Sequence, residues 1–111
     1  MKLFLLTLIT STLCHKATIW ERDGSEKNIQ GDFGQCIYVK GTAVGIRVPR
    51  GVEVQFYKGN ACQKNWFLHA WGTVKFDKAY DYYSVRLAPR GENNKNVMEA
   101  SSGGFDVTND D

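Results

Sequence analysis

Residues 52–57 read VEVQFY, and this stretch decides the fold class because its side chains alternate in character. Val52, Val54 and Phe56 fall on one parity, and Glu53 falls on the other. Successive side chains of a β-strand point to opposite faces of the sheet, so the pattern is typical of a strand with one buried face. The stretch therefore predicts a half-buried strand.

The same alternation recurs on both sides of this strand. The predicted inward residues are Val44, Ile46 and Val48 upstream and Tyr83, Val85 and Leu87 downstream. Shorter runs rich in β-branched and aromatic residues lie at 19–21, 36–40, 66–70 and 73–76, with glycine turns between them. No stretch has a helical stripe of apolar residues. The sequence therefore predicts an all-β sandwich or small barrel of six to eight strands.

The N-terminus has the layout of a secretory signal peptide over residues 1–17, MKLFLLTLITSTLCHKA. Lys2 precedes an apolar run, residues 3–13, that is too short to remain as a membrane span. Small or polar residues follow, and cleavage after Cys14 or after Ala17 fits the pattern. We therefore expect a secreted, extracellular protein.

The cysteine count supports the same compartment. The chain has 3 cysteines, and either cleavage removes Cys14. Cys36 and Cys62 then remain as a pair, and paired thiols close in an oxidising compartment. The sequence predicts one disulfide, Cys36–Cys62.

Charge divides the remaining chain into two parts. The whole chain has a net charge of +2, which does not favour a partner such as bulk nucleic acid. Residues 18–90 hold 11 basic and 7 acidic residues, whereas residues 91–111 hold one lysine and five acidic residues. The second part also has too little apolar surface to offset its ordering entropy. We predict a β domain over 18–90 and a disordered acidic tail over 91–111, where Phe105 and Val107 are the candidates for a docking contact.

The β domain contains an internal repeat. GIRV at 45–48 returns as SVRL at 84–87, and each copy is followed by a Pro-Arg pair. Upstream, TIWERDG at 18–24 loosely matches VQFYKG at 54–59. Each unit thus begins with an aromatic strand that enters a glycine turn.

This arrangement resembles the paired Greek-key motifs of the βγ-crystallin fold. FYKG at 56–59 is similar to the aromatic corner of that family, and YSVRL at 83–87 is similar to its closing strand with Ser84 as the serine. The resemblance implies a small sandwich of two Greek keys, residues 18–50 and 51–90. A six-stranded sandwich known from several fungal effectors also fits the length and the single disulfide, but it does not explain the repeat.

The resemblance also bears on function. Secreted single-domain members of this fold include killer toxins of yeasts and streptomycetes and small proteins of filamentous fungi, so it implies a fungal effector or toxin. Calcium-binding members place paired Asp or Asn before the serine, but residues 79–83 contain Asp81 alone. Calcium takes six to eight oxygen ligands, so we expect no calcium site, no other metal and no cofactor.

Motifs for catalysis are absent from the sequence: it has no Gly-x-Ser-x-Gly elbow, no Cys-x-x-Cys pair and no His-x-x-x-His pair. His69 is the one imidazole that remains in the body after signal removal. A one-histidine ribonuclease would need a carboxylate base and an arginine beside it, for instance Glu53, His69 and Arg86. We predict no catalytic residues and a non-enzymatic protein, with a ribonuclease-like effector or a structural protein bound to cell-wall carbohydrate as the alternatives.

Aromatic and basic residues are interleaved between Lys64 and Tyr83, as in surfaces that bind proteins, sugars or single strands. Because strand parity turns about half of these rings inward, only some can make contacts. The predicted binding residues are Lys78, Tyr80 and Tyr82, with Arg47 and Arg86 as outward positions that correspond in the two repeats. The predicted partner is a host or competitor protein or a cell-surface glycan, without nucleic acid or a membrane span, and we expect a monomer.

Overall fold

The computed structural model describes residues 14–91 and 103–108. Its regular elements in these ranges are nine β-strands: β1 (His15–Glu21), β2 (Glu26–Gly31), β3 (Cys36–Ile37), β4 (Gly41–Arg47), β5 (Val52–Tyr57), β6 (Leu68–Trp71), β7 (Thr73–Tyr82), β8 (Ser84–Pro89) and β9 (Gly104–Val107). Within these residues there is no helix long and apolar enough to cross a membrane. Most of the predicted signal peptide (1–13) and most of the predicted tail (92–102 and 109–111) lie outside the described residues.

The strands form two antiparallel sheets. The first sheet has the order β2-β1-β4-β7, and the second has the order β3-β8-β5-β6-β9. This confirms the predicted all-β sandwich. The strand predicted at residues 52–57 is β5, and it lies in the second sheet between β8 and β6.

The two sequence repeats share their strands between the sheets. The first, second and fourth strands of the first repeat, β1, β2 and β4, pair in the first sheet. The third strand, β3, instead pairs with β8 in the second sheet. The second repeat does the converse, because β7 pairs with β4 while β5, β6 and β8 stay together. Each half of the chain therefore completes the other half's sheet.

The core lies between the two sheets. Its fully buried side chains include Ile19 and Ile46 from the first sheet and Val54, Phe56 and Leu87 from the second. Burial of one such side chain stabilises the fold by about 1.5–3 kcal/mol. The ring of Phe56 also packs edge-on against Tyr82 at 5.1 Å, which ties β5 to β7 across the sandwich.

The predicted disulfide, Cys36–Cys62, is present. It joins β3, from the first repeat, to the loop that follows β5 in the second repeat. The Cα atoms lie 5.8 Å apart, within the ordinary range for a disulfide. The bond therefore links the two repeats covalently.

Two residues that the alternation predicts to face inward, Tyr83 and Val44, are not buried. Tyr83 is 46% exposed because it occupies the corner where the chain leaves β7 in the first sheet and enters β8 in the second. On β4 the register shifts between Ala43 and Gly45, so Ala43 is fully buried and Val44 is only half-buried. An irregularity of pairing shifts the phase of a strand, and the sequence alone does not reveal it.

The predicted disordered tail is wrong for residues 104–107, which form β9 on the free edge of β6. Phe105 packs against Phe76 of β7, with ring centroids 5.0 Å apart. The average composition of residues 91–111 does not reveal this short strand, because its backbone partner, β6, lies elsewhere in the chain. Of the two docking candidates, Phe105 contacts the core, whereas Val107 is an exposed hydrophobic residue.

Candidate functional site

A groove of about 970 Å³ opens beside the loop between β5 and β6. This loop forms one part of the groove, and the second half of β7 and the end of β9 form the rest. We call it the basic groove. Its lining residues are Lys58, Gly59, Gln63, Lys64, Asn65, Trp66, Phe67, Lys78, Ala79, Tyr80, Asp81, Val107 and Thr108.

Three aromatic side chains supply the apolar surface of the basic groove. Trp66 and Phe67 are half-buried, and Tyr80 is buried. The hydroxyl of Tyr80 donates a hydrogen bond to Asp77 Oδ1 at 2.6 Å. Burial, together with this carboxylate, raises the pKa of Tyr80 to about 12. Tyr80 is therefore a neutral phenol, already engaged through its hydroxyl.

Three exposed lysines make the basic groove positive. Lys58 Nζ lies 4.7 Å from the ring centroid of Phe67, and Lys78 Nζ lies 5.4 Å from that of Tyr80. Lys64 is the third, and within 14–91 and 103–108 none of the three forms an ion pair with a carboxylate. A ligand that carries negative charge would therefore meet ammonium groups that have no competing carboxylate partner there.

The one carboxylate among the lining residues is already hydrogen-bonded. Asp81 Oδ1 accepts a bond of 2.7 Å from the hydroxyl of Thr42 on β4. It reduces the positive charge of the basic groove but does not neutralise three lysines. The groove therefore keeps a net positive lining.

The loop that carries Lys58 and Lys64 is held in place by Ser84 of β8 and by the disulfide. The Ser84 hydroxyl accepts a hydrogen bond from the Cys62 amide at 2.8 Å and donates one to the Gly59 carbonyl at 2.5 Å. Cys62 and Lys64 have positive φ angles of 53° and 63°, a conformation that non-glycine residues rarely adopt. The disulfide and Ser84 together hold the loop in this shape.

Two of the predicted binding residues meet in the basic groove, and a third is buried elsewhere. Lys78 and Tyr80 both line the groove, although Tyr80 is buried rather than exposed as predicted. Tyr82 is only 1% exposed, so the prediction that it makes outward contacts is wrong. At the end of β7, Tyr80 and Tyr82 alternate with the exposed Asp81, so both fall on the inward face of the strand.

Arg47 and Arg86 do not belong to one surface. Arg47 is exposed on β4 of the first sheet, whereas Arg86 is half-buried on β8 of the second. The guanidinium of Arg86 lies 5.4 Å from the ring of Tyr57. The two positions correspond in the repeat, but the sandwich separates their outward faces.

Lys58 and Gln63 were not among the predicted site residues. The signal for them was the long connection between β5 and β6, ten residues including a Lys-Gly turn. Binding residues concentrate on such loops when a rigid scaffold positions them. Their convergence with β7 depends on tertiary packing, which the local sequence does not encode.

A second cluster of charged side chains lies on the outer face of the second sheet. His69 Nδ1 is 3.2 Å from Glu53 Oε1, in ion-pair contact but without hydrogen-bond geometry. His69 Nε2 is 3.2 Å from Asp106 Oδ2 on β9. Arg90 Nη1 donates to Glu53 Oε1 at 3.2 Å, and Gln55 donates to Glu53 Oε2 at 2.9 Å. We call these five residues the histidine cluster.

The histidine cluster contains two of the three residues considered for a ribonuclease. Glu53 and His69 are in contact, as an acid–base pair requires, but Arg90 rather than Arg86 reaches the carboxylate. Glu53 is only 8% exposed, and the His69 ring lies 4.2 Å from that of Trp66. Both imidazole nitrogens face carboxylates, and the contact with Asp106 links β9 to β6 through side chains.

The same geometry does not form a metal centre. The two carboxylates lie at different nitrogens of the imidazole ring and therefore do not converge on one ligand position with it. Among the residues that the structure describes, no group of three His, Cys, Asp or Glu side chains could hold a metal ion.

Comparisons of the chain with protein-family models, with curated proteins and with solved structures give no match.

Proposed function

We propose that this chain is a secreted, non-enzymatic binding protein that engages a protein or glycan target outside the producing cell through the basic groove. The observation that carries the proposal is that Lys58 and Lys78 lie over the rings of Phe67 and Tyr80 in a groove that Lys64 also lines. The aromatic rings supply apolar contact area, and the unpaired ammonium groups would attract and orient an acidic partner by electrostatic complementarity.

We also propose that the fold is of the βγ-crystallin type, with two Greek keys at residues 18–50 and 51–90. The exchange of β3 and β7 between the sheets supports this proposal, because it relates the two halves as a repeated unit. The bonds from Ser84 to the loop after β5 support a structural role for the serine of the closing strand. Gly45 occupies the corresponding place in the first repeat, where a side chain would collide with Trp20.

An extracellular role as a fungal effector or toxin follows from this proposal. The disulfide supports it, since such bonds persist in oxidising compartments. A fold alone does not specify a target, so the groove chemistry must identify one.

The proposal is tested by measuring how labelled protein associates with the surface of candidate host and competitor cells. The groove variant K58Q/K64Q/K78Q is expected to lose association at least about tenfold, roughly the effect of removing 1.4 kcal/mol of binding free energy. The control R22Q/R47Q/K75Q removes the same charge from exposed positions of the first repeat and of β7 outside the groove lining, and should bind like the native protein. Equal loss in both variants would indicate non-specific charge attraction and refute the groove as the site.

A ribonuclease is the second candidate, because Glu53 and His69 are 3.2 Å apart. Under our proposal, the native protein cleaves RNA no faster than its His69→Ala variant. Cleavage that His69→Ala abolishes would instead favour the enzyme. Adsorption to purified wall polysaccharide that is insensitive to K58Q/K64Q/K78Q would favour a structural wall protein.

A further inference from the structure

We propose that the basic groove is an acidic-peptide site and that in the free chain its occupant is the chain's own segment 109–111, which contains Asp110 and Asp111. This inference rests on the proposed function only for the role of the groove as the target-binding surface. A target would then have to displace an internal competitor of the same chemistry.

The path of the chain brings this segment to the groove. Val107 and Thr108 both line the basic groove. The Thr108 amide donates a hydrogen bond of 2.9 Å to the carbonyl of Phe67, which fixes where β9 delivers the chain. Three further residues can span about 10 Å. Because Thr108 itself lines the groove, Asp110 and Asp111 are within reach of it.

The charges are complementary. Asp110 and Asp111 bring two carboxylates, and Lys58, Lys64 and Lys78 form no ion pair with any carboxylate in the described part of the chain. A tether of so few residues holds the carboxylates at an effective concentration on the order of millimolar. Pairing with a dissociation constant in the millimolar range or below is therefore populated.

Other nearby carboxylates are already engaged. Asp106 on β9 faces His69, Asp81 accepts the Thr42 hydroxyl, and Asp77 accepts the Tyr80 hydroxyl. Asp110 and Asp111 are thus the acidic residues closest in sequence to the groove that are not held by one of these contacts. The aromatic surface and the amides of the groove suit a peptide backbone as well as its charges.

A carbodiimide cross-linker, which joins an amine directly to a carboxylate in contact with it, tests the placement. In the native protein at low salt, peptide mapping should find Asp110 or Asp111 joined to Lys58, Lys64 or Lys78. Half-molar salt should suppress these products, because it screens exposed pairs. Cross-links that instead spread evenly over Lys27, Lys40 and the groove lysines would overturn the proposal, as would their absence.

Binding of a fluorescent hexaglutamate peptide tests the competition. D110N/D111N should bind it about threefold to tenfold more tightly than the native protein, since the tethered competitor is removed. The control E26Q/D32N alters two exposed acids of the first repeat and should match the native affinity. Equal affinity of D110N/D111N and native protein would overturn the inference.

The two proposals fail separately. Cross-links between the segment and the groove, without any groove-dependent association with cells, would refute the proposed function and leave the inference standing. Groove-dependent association with cells, without cross-links and without a gain of affinity in D110N/D111N, would refute the inference alone.

Discussion

At the scale of single residues, the buried carboxylate of Glu21 holds the end of β7 through a hydrogen bond from Tyr82. Its Oε2 accepts a hydrogen bond of 2.7 Å from the Tyr82 hydroxyl, and its Oε1 accepts one of 2.8 Å from the Thr42 amide. Lys27 Nζ lies 3.6 Å from Oε1. Burial of a charged carboxylate is costly in free energy unless hydrogen bonds and an opposite charge replace its water. These three contacts offset that cost for Glu21.

Tyr82→Phe should lower the free energy of unfolding by about 1–3 kcal/mol, because it removes a donor from a buried carboxylate. Chemical denaturation measures this loss. Tyr83→Phe is the matched control, since Tyr83 is exposed and should change stability by less than about 0.5 kcal/mol. Equal stability of Tyr82→Phe and the native protein would mean that water replaces the phenol at Glu21.

Alkaline pH should destabilise the fold through the same tyrosine. Burial, together with Glu21, raises the pKa of Tyr82 far above its ordinary value, and burial raises the pKa of Tyr80 to about 12. In the unfolded chain these phenols ionise near pH 10. Their contribution is therefore complete below about pH 10 and declines as pH rises further, because the unfolded state then binds fewer protons than the native state.

The measurement is the melting temperature of the native protein and of Tyr82→Phe between neutral pH and about pH 11. The native protein should lose more stability over this range than the variant does. Parallel curves would contradict the assignment of the alkaline transition to Tyr82.

At the scale of elements, the ring of Phe105 is the side chain that joins β9 to the core. Phe105→Ala removes the ring that packs 5.0 Å from Phe76, and it should lower the free energy of unfolding by about 1–2 kcal/mol, less than for a fully buried ring. Amide hydrogen exchange should show that β9 and its partner β6 lose protection. Val107→Ala alters an exposed side chain of the same strand and should leave protection unchanged.

The start of β1 bears on where the proposed signal peptide would be removed. The strand begins at His15, and Ala17 is 4% exposed and pairs with Ile29. Cleavage after Ala17 would delete three residues of β1 and their pairing with β2. We therefore expect N-terminal sequencing of the secreted protein to find His15 first; a chain that starts at Thr18 would contradict this.

An element can be predicted from the sequence when the signal for it lies in its own residues. The alternation at 52–57 predicts β5 because each side chain of that strand signals its own face. β2 has little such signal, since Ile29 is its one buried hydrophobic side chain. The contact of Glu53 with His69 arises from the register between β5 and β6, and the basic groove from the packing of a loop against β7, so neither can be predicted from one segment alone.

At the scale of the whole molecule, the two repeats stabilise each other through the strands they exchange. β3 pairs with β8 over only two residues, Cys36 and Ile37, so its own ladder contributes little. The disulfide to Cys62 fastens this short strand to the loop that forms the basic groove. The stability of the first repeat and the shape of the groove are thereby linked.

Replacement of both cysteines, C36S/C62S, should therefore cost stability and groove function together. The bridge spans a sequence separation of 26, for which the chain-entropy relation gives about 3.5 kcal/mol. For a domain of this size that corresponds to a fall in melting temperature of about 15–25 °C. Because Cys62 and Lys64 hold left-handed conformations, the hexaglutamate affinity of the still-folded variant should also fall. A variant that melts within a few degrees of the native protein and binds the peptide equally well would show that Ser84 alone holds the loop.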